Sequence, residues 1–309
     1  MTVLHAGRFL GLALLAVAIP ACHADNRPLS LNIYVDPVFG DDFHGQGTPS
    51  FPLRTITRSL HFTIAGDAIF LAPGTYSASS GEIFPLRVRP GVLIEGDPAT
   101  QGAGAPATLV SGGGLYSIGG GTQGGTTVTA AFVLGNASQL SGVKISVAGS
   151  GGVGVVFDGS TAALSQCTIS GCGASGVRVY QGASPTIVSC AIAANTGSGV
   201  DAFDTAAPIL RQNTITTNAL DGVSANDASA PNLGDASTAG GNTLQANTGL
   251  GLNNATTAST IQAVGNTWIV STQGSDASGN YAAGIVPGAV PAVAGNNFAI
   301  TNAAAAIQF

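Results

Sequence analysis

Gly176-Val177-Arg178-Val179, Pro185-Thr186-Ile187-Val188-Ser189 and Cys190-Ala191-Ile192 follow one another in the middle of the chain, and they repeat. Gly176-Val177 returns as Gly199-Val200 and Gly222-Val223, and Pro185 returns as Pro208 and Pro231. Cys190-Ala191-Ile192 follows Cys167-Thr168-Ile169 and precedes Asn213-Thr214-Ile215, again at the same spacing. Three unlike markers on one period, between Gly152 and Leu233, mean stacked units that are each too small to bury their own apolar face.

Within a unit the apolar residues alternate over short runs, which reads as strand. Gly, Ser, Asn and Pro separate the runs and read as turns. No window here has helical spacing, and the Leu/Asn pattern of a leucine-rich repeat is missing. Three short strands per turn predict an all-β solenoid, a parallel β-helix of about 23 residues per rung. Its rungs rise by roughly 4.8 Å, so equivalent residues stack into columns. One column holds Cys167, Cys190, Asn213, Asn242 and Asn266. Asn there can pass amide hydrogen bonds from rung to rung, and Cys is a compact filler.

The run Gly176-Val177…Pro185-Thr186-Ile187-Val188-Ser189-Cys190-Ala191-Ile192 resembles the repeat of the pectate-lyase-like superfamily. That resemblance implies a single-stranded right-handed parallel β-helix and is nearly silent about activity. A second resemblance covers the segment before the repeats. Tyr34-Val35-Asp36…Gly40-Asp41-Asp42…Gly47-Thr48…Pro52-Leu53-Arg54-Thr55-Ile56 looks like the opening motif of many bacterial β-helix proteins. Gly66-Asp67-Ala68-Ile69…Pro73-Gly74-Thr75-Tyr76…Glu82-Ile83-Phe84-Pro85-Leu86…Gly91-Val92…Gly96-Asp97 is similar to a bacterial family of exported β-helix domains with no assigned reaction. Neither resemblance carries catalytic residues to transfer.

The apolar spacing from Leu53 to Ala65 predicts a short helix ending at Gly66, laid across the open end of the coil. Ala68-Ile69-Phe70-Leu71 then reads as the first rung strand and Pro73-Gly74-Thr75-Tyr76 as its turn. Residues 98–129, rich in Gly and Thr, read as a long loop or irregular rung. A phosphate loop is excluded there, because the Lys-Ser/Thr ending is missing. Residues 232–241 form a small insertion, since Asn242 follows Asn213 later than one period allows. Phe298-Ala299-Ile300 and Ile307-Gln308-Phe309 are expected to cover the last rung.

Charged residues make up 8% of the 309, against an average of about 25%. The net charge is −6 with no Lys/Arg run, which excludes the electrostatic footprint of nucleic-acid binding. Arg8 and the apolar run Phe9 to Ile19 read as an export signal too short to span a bilayer. Two cleavage readings stay open. Ile19-Pro20-Ala21-Cys22 resembles a lipobox, making Cys22 the lipidated residue of an outer-membrane lipoprotein; Cys22-His23-Ala24 suits ordinary signal peptidase. The expected organisation is a signal over 1–24, a linker over 25–32 and the β-helix over 33–309, with 33–97 as cap and first rungs. No later segment reads as a membrane helix. Of Cys167, Cys172 and Cys190 at least one thiol is free or pairs between chains; Cys167 and Cys190 read as core fillers, with a stacked Cys167–Cys190 bridge as the alternative, and no Cys/His group has zinc-site spacing.

Stacking also predicts where chemistry could sit. Aligning Gly159 with Gly182 and Thr205 places Asp158, Gln181, Asp204 and Asp227 in one outward column, beside Phe157, Tyr180, Phe203 and Asn226. Arg178 sits one rung from Asp201. Carboxylates beside aromatic faces suit a polysaccharide or cell-surface glycan, so Phe157, Tyr180, Gln181, Asp201, Phe203, Asp204 and Asp227 are the candidate binding residues. A glycosidase would use Asp158, Asp204 and Asp227 at rung spacings. A lyase would use the Asp column to hold Ca²⁺, with Arg178 or Lys144 as base. Beside these stand plain structural readings: Asx turns for the aspartates, rung-to-rung stacking for the rings, an exposed ion pair for Arg178–Asp201. Asp41 and Asp42 are candidates for a structural Ca²⁺, or serve turns and the cap with Glu82. His44 and His61 have no visible partner. Three classes therefore remain: a non-catalytic glycan-binding protein, a polysaccharide lyase or hydrolase, and a structural or adhesive solenoid.

Overall fold

The computed structural model describes residues 30–255, 261–269, 298–300 and 307–308. The expected export signal with Cys22, and the linker up to residue 29, lie outside the described residues. The pairing records the period directly. Thr186 pairs with Ile209, Ala191 with Thr214 and Val200 with Val223, all in parallel and all one period apart. The insertion lengthens one step: Thr214 pairs with Thr243 instead of Ser237, without breaking register.

Three sheets with parallel paths of seven, eight and eight strands run along the coil. A typical rung gives Ala163–Ser165 to the first sheet, Thr168–Ser170 to the second and Val177–Tyr180 to the third. The chain thus forms a right-handed parallel β-helix. Inside, like stacks on like. Ile94, Leu140, Leu164, Ile187 and Leu210 make the bore column of the first sheet. Ile145, Ile169, Ile192, Ile215 and Leu244 make that of the second. Each side chain buried in this way contributes about 1.5–3 kcal/mol. Phe298–Ile300 and Ile307–Gln308 pair in parallel with Leu252–Asn254 and Ile261–Gln262, extending the coil.

The corners explain the markers. Each corner turns through left-handed backbone: Gln166, Ser189 and Gln212 at the first, Ala194 and Thr217 at the second, Gln181 with Gly182, Asp204 and Asp227 at the third. After the first corner runs the expected ladder. Asn213 Nδ2 donates to Asn242 Oδ1 at 2.9 Å, and Asn242 Nδ2 to Asn266 Oδ1 at 2.8 Å. Cys fits this column because it donates to the equivalent carbonyl. Cys190 Sγ lies 3.7 Å from Leu164 O and Asn213 Nδ2 2.8 Å from Ile187 O, each on the preceding rung. The three thiols are free and buried, so the bridge alternative does not hold. A second ladder, unforeseen from sequence, follows the second corner: Cys172, Asn195, Asn218 and Asn247.

The cap differs in detail from expectation. The helix, α1, spans Ile56–Phe62 rather than Leu53 to Ala65. Asp42 holds Arg54 N, Thr55 N and the Thr55 hydroxyl in an extended conformation, and Thr55 Oγ1 accepts from Arg58 N as the N-cap. Leu53 is left to bridge Val35. Glu82, 4% exposed, accepts from Ile56 N and Thr57 N at 2.7 and 2.9 Å, satisfying the first orphan amides of the helix. The first sheet begins at Asn32–Val35, one strand before Ala68–Leu71. Gly74–Ser77 is a strand of the second sheet rather than a turn. Its Tyr76 is buried, and the hydroxyl donates toward Val35 O and Ala72 O.

The Gly/Thr-rich segment is also more ordered than a loop. Thr108–Ser111 joins the second sheet. Gly114–Ser117 then pairs antiparallel with the long strand Thr127–Leu134, forming a hairpin on the outside of the coil.

Candidate functional site

Gln181, Asp204 and Asp227 of the predicted aspartate column stack at the third corner, while Asp158, expected with them, pairs one position early, opposite Tyr180. Left-handed backbone is tolerated by Asp better than by most residues, and Asp204 and Asp227 have φ of 57° and 58°. Each carboxylate then reaches the amide one rung below. Gln181 N donates to Asp204 Oδ2 at 3.1 Å, and Asp204 N to Asp227 Oδ2 at 3.0 Å. This is the Asn-ladder contact made with a carboxylate, which leaves acceptor capacity facing outward. Gln181 Nε2 closes the lower end by donating to Asp158 Oδ1.

The hairpin tip uses that capacity. Tyr116 Oη donates to Asp158 Oδ2 at 2.7 Å and Gly119 N to the same oxygen at 3.1 Å. Thr122 N donates to Asp204 Oδ1, and Thr122 Oγ1 lies 2.7 Å from both Asp204 Oδ1 and Asp227 Oδ2. Residues 119–122 therefore climb the corner rung by rung. Behind the tip, Ile118 and Val128 pack with Val153, Val156 and Tyr180 in an apolar cluster outside the bore. An open depression of about 550 Å³ remains beside the tip, lined by Thr122, Gln181, Asp204, Thr205 and Asp227.

The aromatic column does not hold as expected. Phe157 pairs with Val179, not Tyr180, so its step falls one short of the period. A shift by one position sends a strand side chain to the opposite face: Phe157 lies in the bore, fully buried. Tyr180 and Phe203 do stack outside, at 5.1 Å between ring centroids and 11° between planes. Tyr180 is 1% exposed beneath the hairpin, so it supports the chain rather than offering a face to ligand.

The other candidates are spoken for as well. Asp201 is buried, receives the Ser175 hydroxyl and lies 3.7 Å from Arg178 Nε; the exposed ion pair expected there is covered. Burial pushes the Asp201 carboxyl up, against hydrogen bonds from Ser175 and Ser198 and the charge of Arg178. Lys144 pairs with Leu109 and Thr168 on the second sheet, a different face from the aspartates. Asp41 takes Phe43 N at 2.7 Å and His44 Nδ1 at 2.8 Å, so His44 does have a partner; these contacts, His44 first, bring Asp41 down to about 2. Asp42 is taken up by α1. Among the described residues no group of three or more His, Cys, Asp or Glu could hold a metal ion, and no helix is long and apolar enough to cross a membrane.

Asp204 lies below its ordinary value. Desolvation raises it, but hydrogen bonds from the Thr122 hydroxyl, Thr122 N and Gln181 N outweigh that. A depressed carboxyl stabilises its contacts above its unfolded pKa and loses that stabilisation as pH falls through the folded value. The tip is therefore expected to detach in acid. In an NMR titration the Thr122 amide shift should follow Asp204, with a midpoint below that of an ordinary aspartate. A Thr122 shift independent of pH would show that the tip is held by something else.

A coil of parallel, in-register rungs with an N-terminal helical cap makes this a protein of the right-handed parallel β-helix class. More narrowly, the chain belongs to the family described as Protein of unknown function (DUF1565), which matches residues 38–274. Among solved structures, pectate lyase Pel9A superposes with a TM-score of 0.47 at 14% identity, over 75% of this chain and 63% of that enzyme. The GH136 lacto-N-biosidase from Eubacterium ramulus superposes with a TM-score of 0.42 at 12% identity, over 90% of this chain and 68% of that one. The chain thus spans less than two thirds of the pectate lyase. No curated protein matches it.

Proposed function

We propose that this is an exported bacterial β-helix protein that binds polysaccharide along the third corner without catalysing a reaction. The supporting observation is the Thr122 hydroxyl, 2.7 Å from the carboxylates of both Asp204 and Asp227. The protein's own side chain occupies the place a sugar hydroxyl would take, beside a depression open enough for a glycan to enter. Charge-assisted hydrogen bonds of this kind are short and directional.

Catalysis fits the same residues poorly. A glycosidase needs one carboxyl that keeps its proton as general acid, and Asp204 is shifted the other way. Asp201 and Glu82, which are pushed up, are 9% and 4% exposed and turned to internal donors. Arg178, as a lyase base, is tied to Asp201.

The test is affinity electrophoresis in a panel of neutral and uronic-acid polysaccharides, run beside an assay for released reducing ends and unsaturated products. Asp204→Asn with Asp227→Asn should weaken binding about tenfold or more, equivalent to roughly 1.4 kcal/mol, while the melting temperature reports any damage to the ladder. Equal retardation of wild type and variant would leave the corner a structural ladder; product release would make the protein an enzyme. For export, the mass of the mature chain from the cell envelope distinguishes an acylated Cys22 from a free N-terminus at Asp25.

A further inference from the structure

A cleft of about 340 Å³ opens between α1 and the strand Leu86–Val88. His61 comes from the helix, Arg87 and Arg89 from the strand and its end, and Ile83 and Pro85 add apolar lining. Strand alternation accounts for the arginines. Leu86 and Val88 point into the bore, 1% and 3% exposed, so the residues between and after them face out.

Both guanidiniums are held in place without being neutralised. Arg87 stacks on the Tyr116 ring, 5.1 Å from its centroid, and Arg89 Nη1 donates to Thr63 O at 3.0 Å. Neither lies within ion-pair distance of a carboxylate among the described residues, whereas Arg178 and Arg211 sit 3.7 and 3.5 Å from Asp201 and Asp235. The nearby Glu82 is buried and turned to the amides of α1 and the Thr57 hydroxyl. The Thr57 hydroxyl gives its one proton to Glu82 and accepts from Ile83 N, so it has no proton left for a ligand. Two fixed arginines and a histidine thus share a concavity on a chain of net charge −6. Concavity concentrates their field, and a guanidinium fork matches an oxyanion geometrically.

We propose that this cleft binds an oxyanion group, a phosphate ester or a carboxylate, carried on a ligand whose remainder packs on Ile83 and Pro85. Arg87, Arg89 and His61 make the contacts. The site shares only the Tyr116 ring with the elements at the third corner and does not depend on glycan binding there.

The experiment is an NMR titration of the full mature chain at low ionic strength, following the Nε–Hε signals of the arginines. The probes are inorganic phosphate and, separately, acetate, with chloride at matched ionic strength as control. Saturable shifts at Arg87 and Arg89, at concentrations about tenfold below those that move the exposed Arg54 and Arg58, are expected for at least one probe. Preference for phosphate assigns the phosphate ester, and preference for acetate the carboxylate. Arg89→Gln with His61→Gln, which leaves the Tyr116 contact intact, should abolish saturation at Arg87. Asp204→Asn with Asp227→Asn should leave it unchanged. Shifts at Arg87 and Arg89 no stronger than those of Arg54 and Arg58, or saturation that survives the Arg89/His61 variant, would overturn the assignment.

Discussion

Asn218→Ala is expected to lower the unfolding free energy by about 3–5 kcal/mol. Asn218 is fully buried, and its amide serves three residues. Its Oδ1 accepts from Asn195 N at 3.2 Å and Asn195 Nδ2 at 2.9 Å, while its Nδ2 donates to Ile192 O at 3.2 Å and Asn247 Oδ1 at 2.9 Å. Alanine removes all four bonds and strands groups on the rungs above and below, each at about 1–3 kcal/mol. No water replaces the amide unless the bore opens. Thr214→Ala, exposed on the same rung, should change stability by no more than about 0.5 kcal/mol. Urea denaturation followed by circular dichroism gives both values. Because each rung contacts only its neighbours, hydrogen exchange should speed up on the rungs around Asn195, Asn218 and Asn247 first. A loss below about 1 kcal/mol, the worth of a single ordinary hydrogen bond, would mean the ladder is decorative.

The part of the fold that could be read in advance is the part where one residue type must recur. The bore column repeats Ile and Leu because identical environments recur every rung, and the first ladder repeats Asn because one contact recurs. The second ladder obeys the same period, at Asn195, Asn218 and Asn247, yet these residues sit among Thr, Gly and Ala and pass for turn residues. What could not be read follows from local exceptions. Phe157 lies on a shortened step of its sheet, so aligning the chain on Gly159 and Gly182 placed it outside when it belongs inside. The hairpin is a single event with no second copy to reveal it, and its Gly119 to Thr122 run carries almost no apolar signal.

The candidate site was half legible for the same reason. Gln181, Asp204 and Asp227 follow from the period and touch from rung to rung, whereas Asp158 lies on the shortened step opposite Tyr180 and meets the column only through the Gln181 side chain. That Thr122 lies on it depends on antiparallel pairing far upstream of Asp204, which the repeat does not encode. The cationic cleft was invisible on other grounds. Arg87 and Arg89 alternate along one strand and its end, but His61 comes from far upstream, and only the packing of α1 on the strand Leu86–Val88 brings it to them.

The Gly-Val marker that opened the repeat leads to the second large effect, at Gly199. Its backbone is not in the left-handed region, so conformation does not require glycine there; space does. A Cβ at Gly199 would lie 2.5 Å from Ile215 Cγ2, 2.6 Å from Gly222 O and 3.0 Å from Asn218 Nδ2. Two of these three belong to groups that cannot retreat, a backbone carbonyl of the next rung and a ladder amide. Gly176 and Gly222 meet the next rung's carbonyl in the same way, at 2.9 and 2.6 Å. Glycine recurs at this step because consecutive rungs close on each other at the second corner with no room for a methyl. Gly199→Ala is therefore expected to cost about 3 kcal/mol, at or beyond the upper end of ordinary overpacking. Gly125→Ala is the informative control: its φ is +81° but nothing lies within 4 Å. It should cost only the strain of its backbone, about 1–2 kcal/mol, confined to the hairpin tip. Thermal melts of the two variants separate the explanations, since a requirement for flexibility would make Gly125→Ala the worse and a requirement for space makes Gly199→Ala the worse. If alanine at 199 is tolerated, the rungs do not close at this corner as tightly as the register requires.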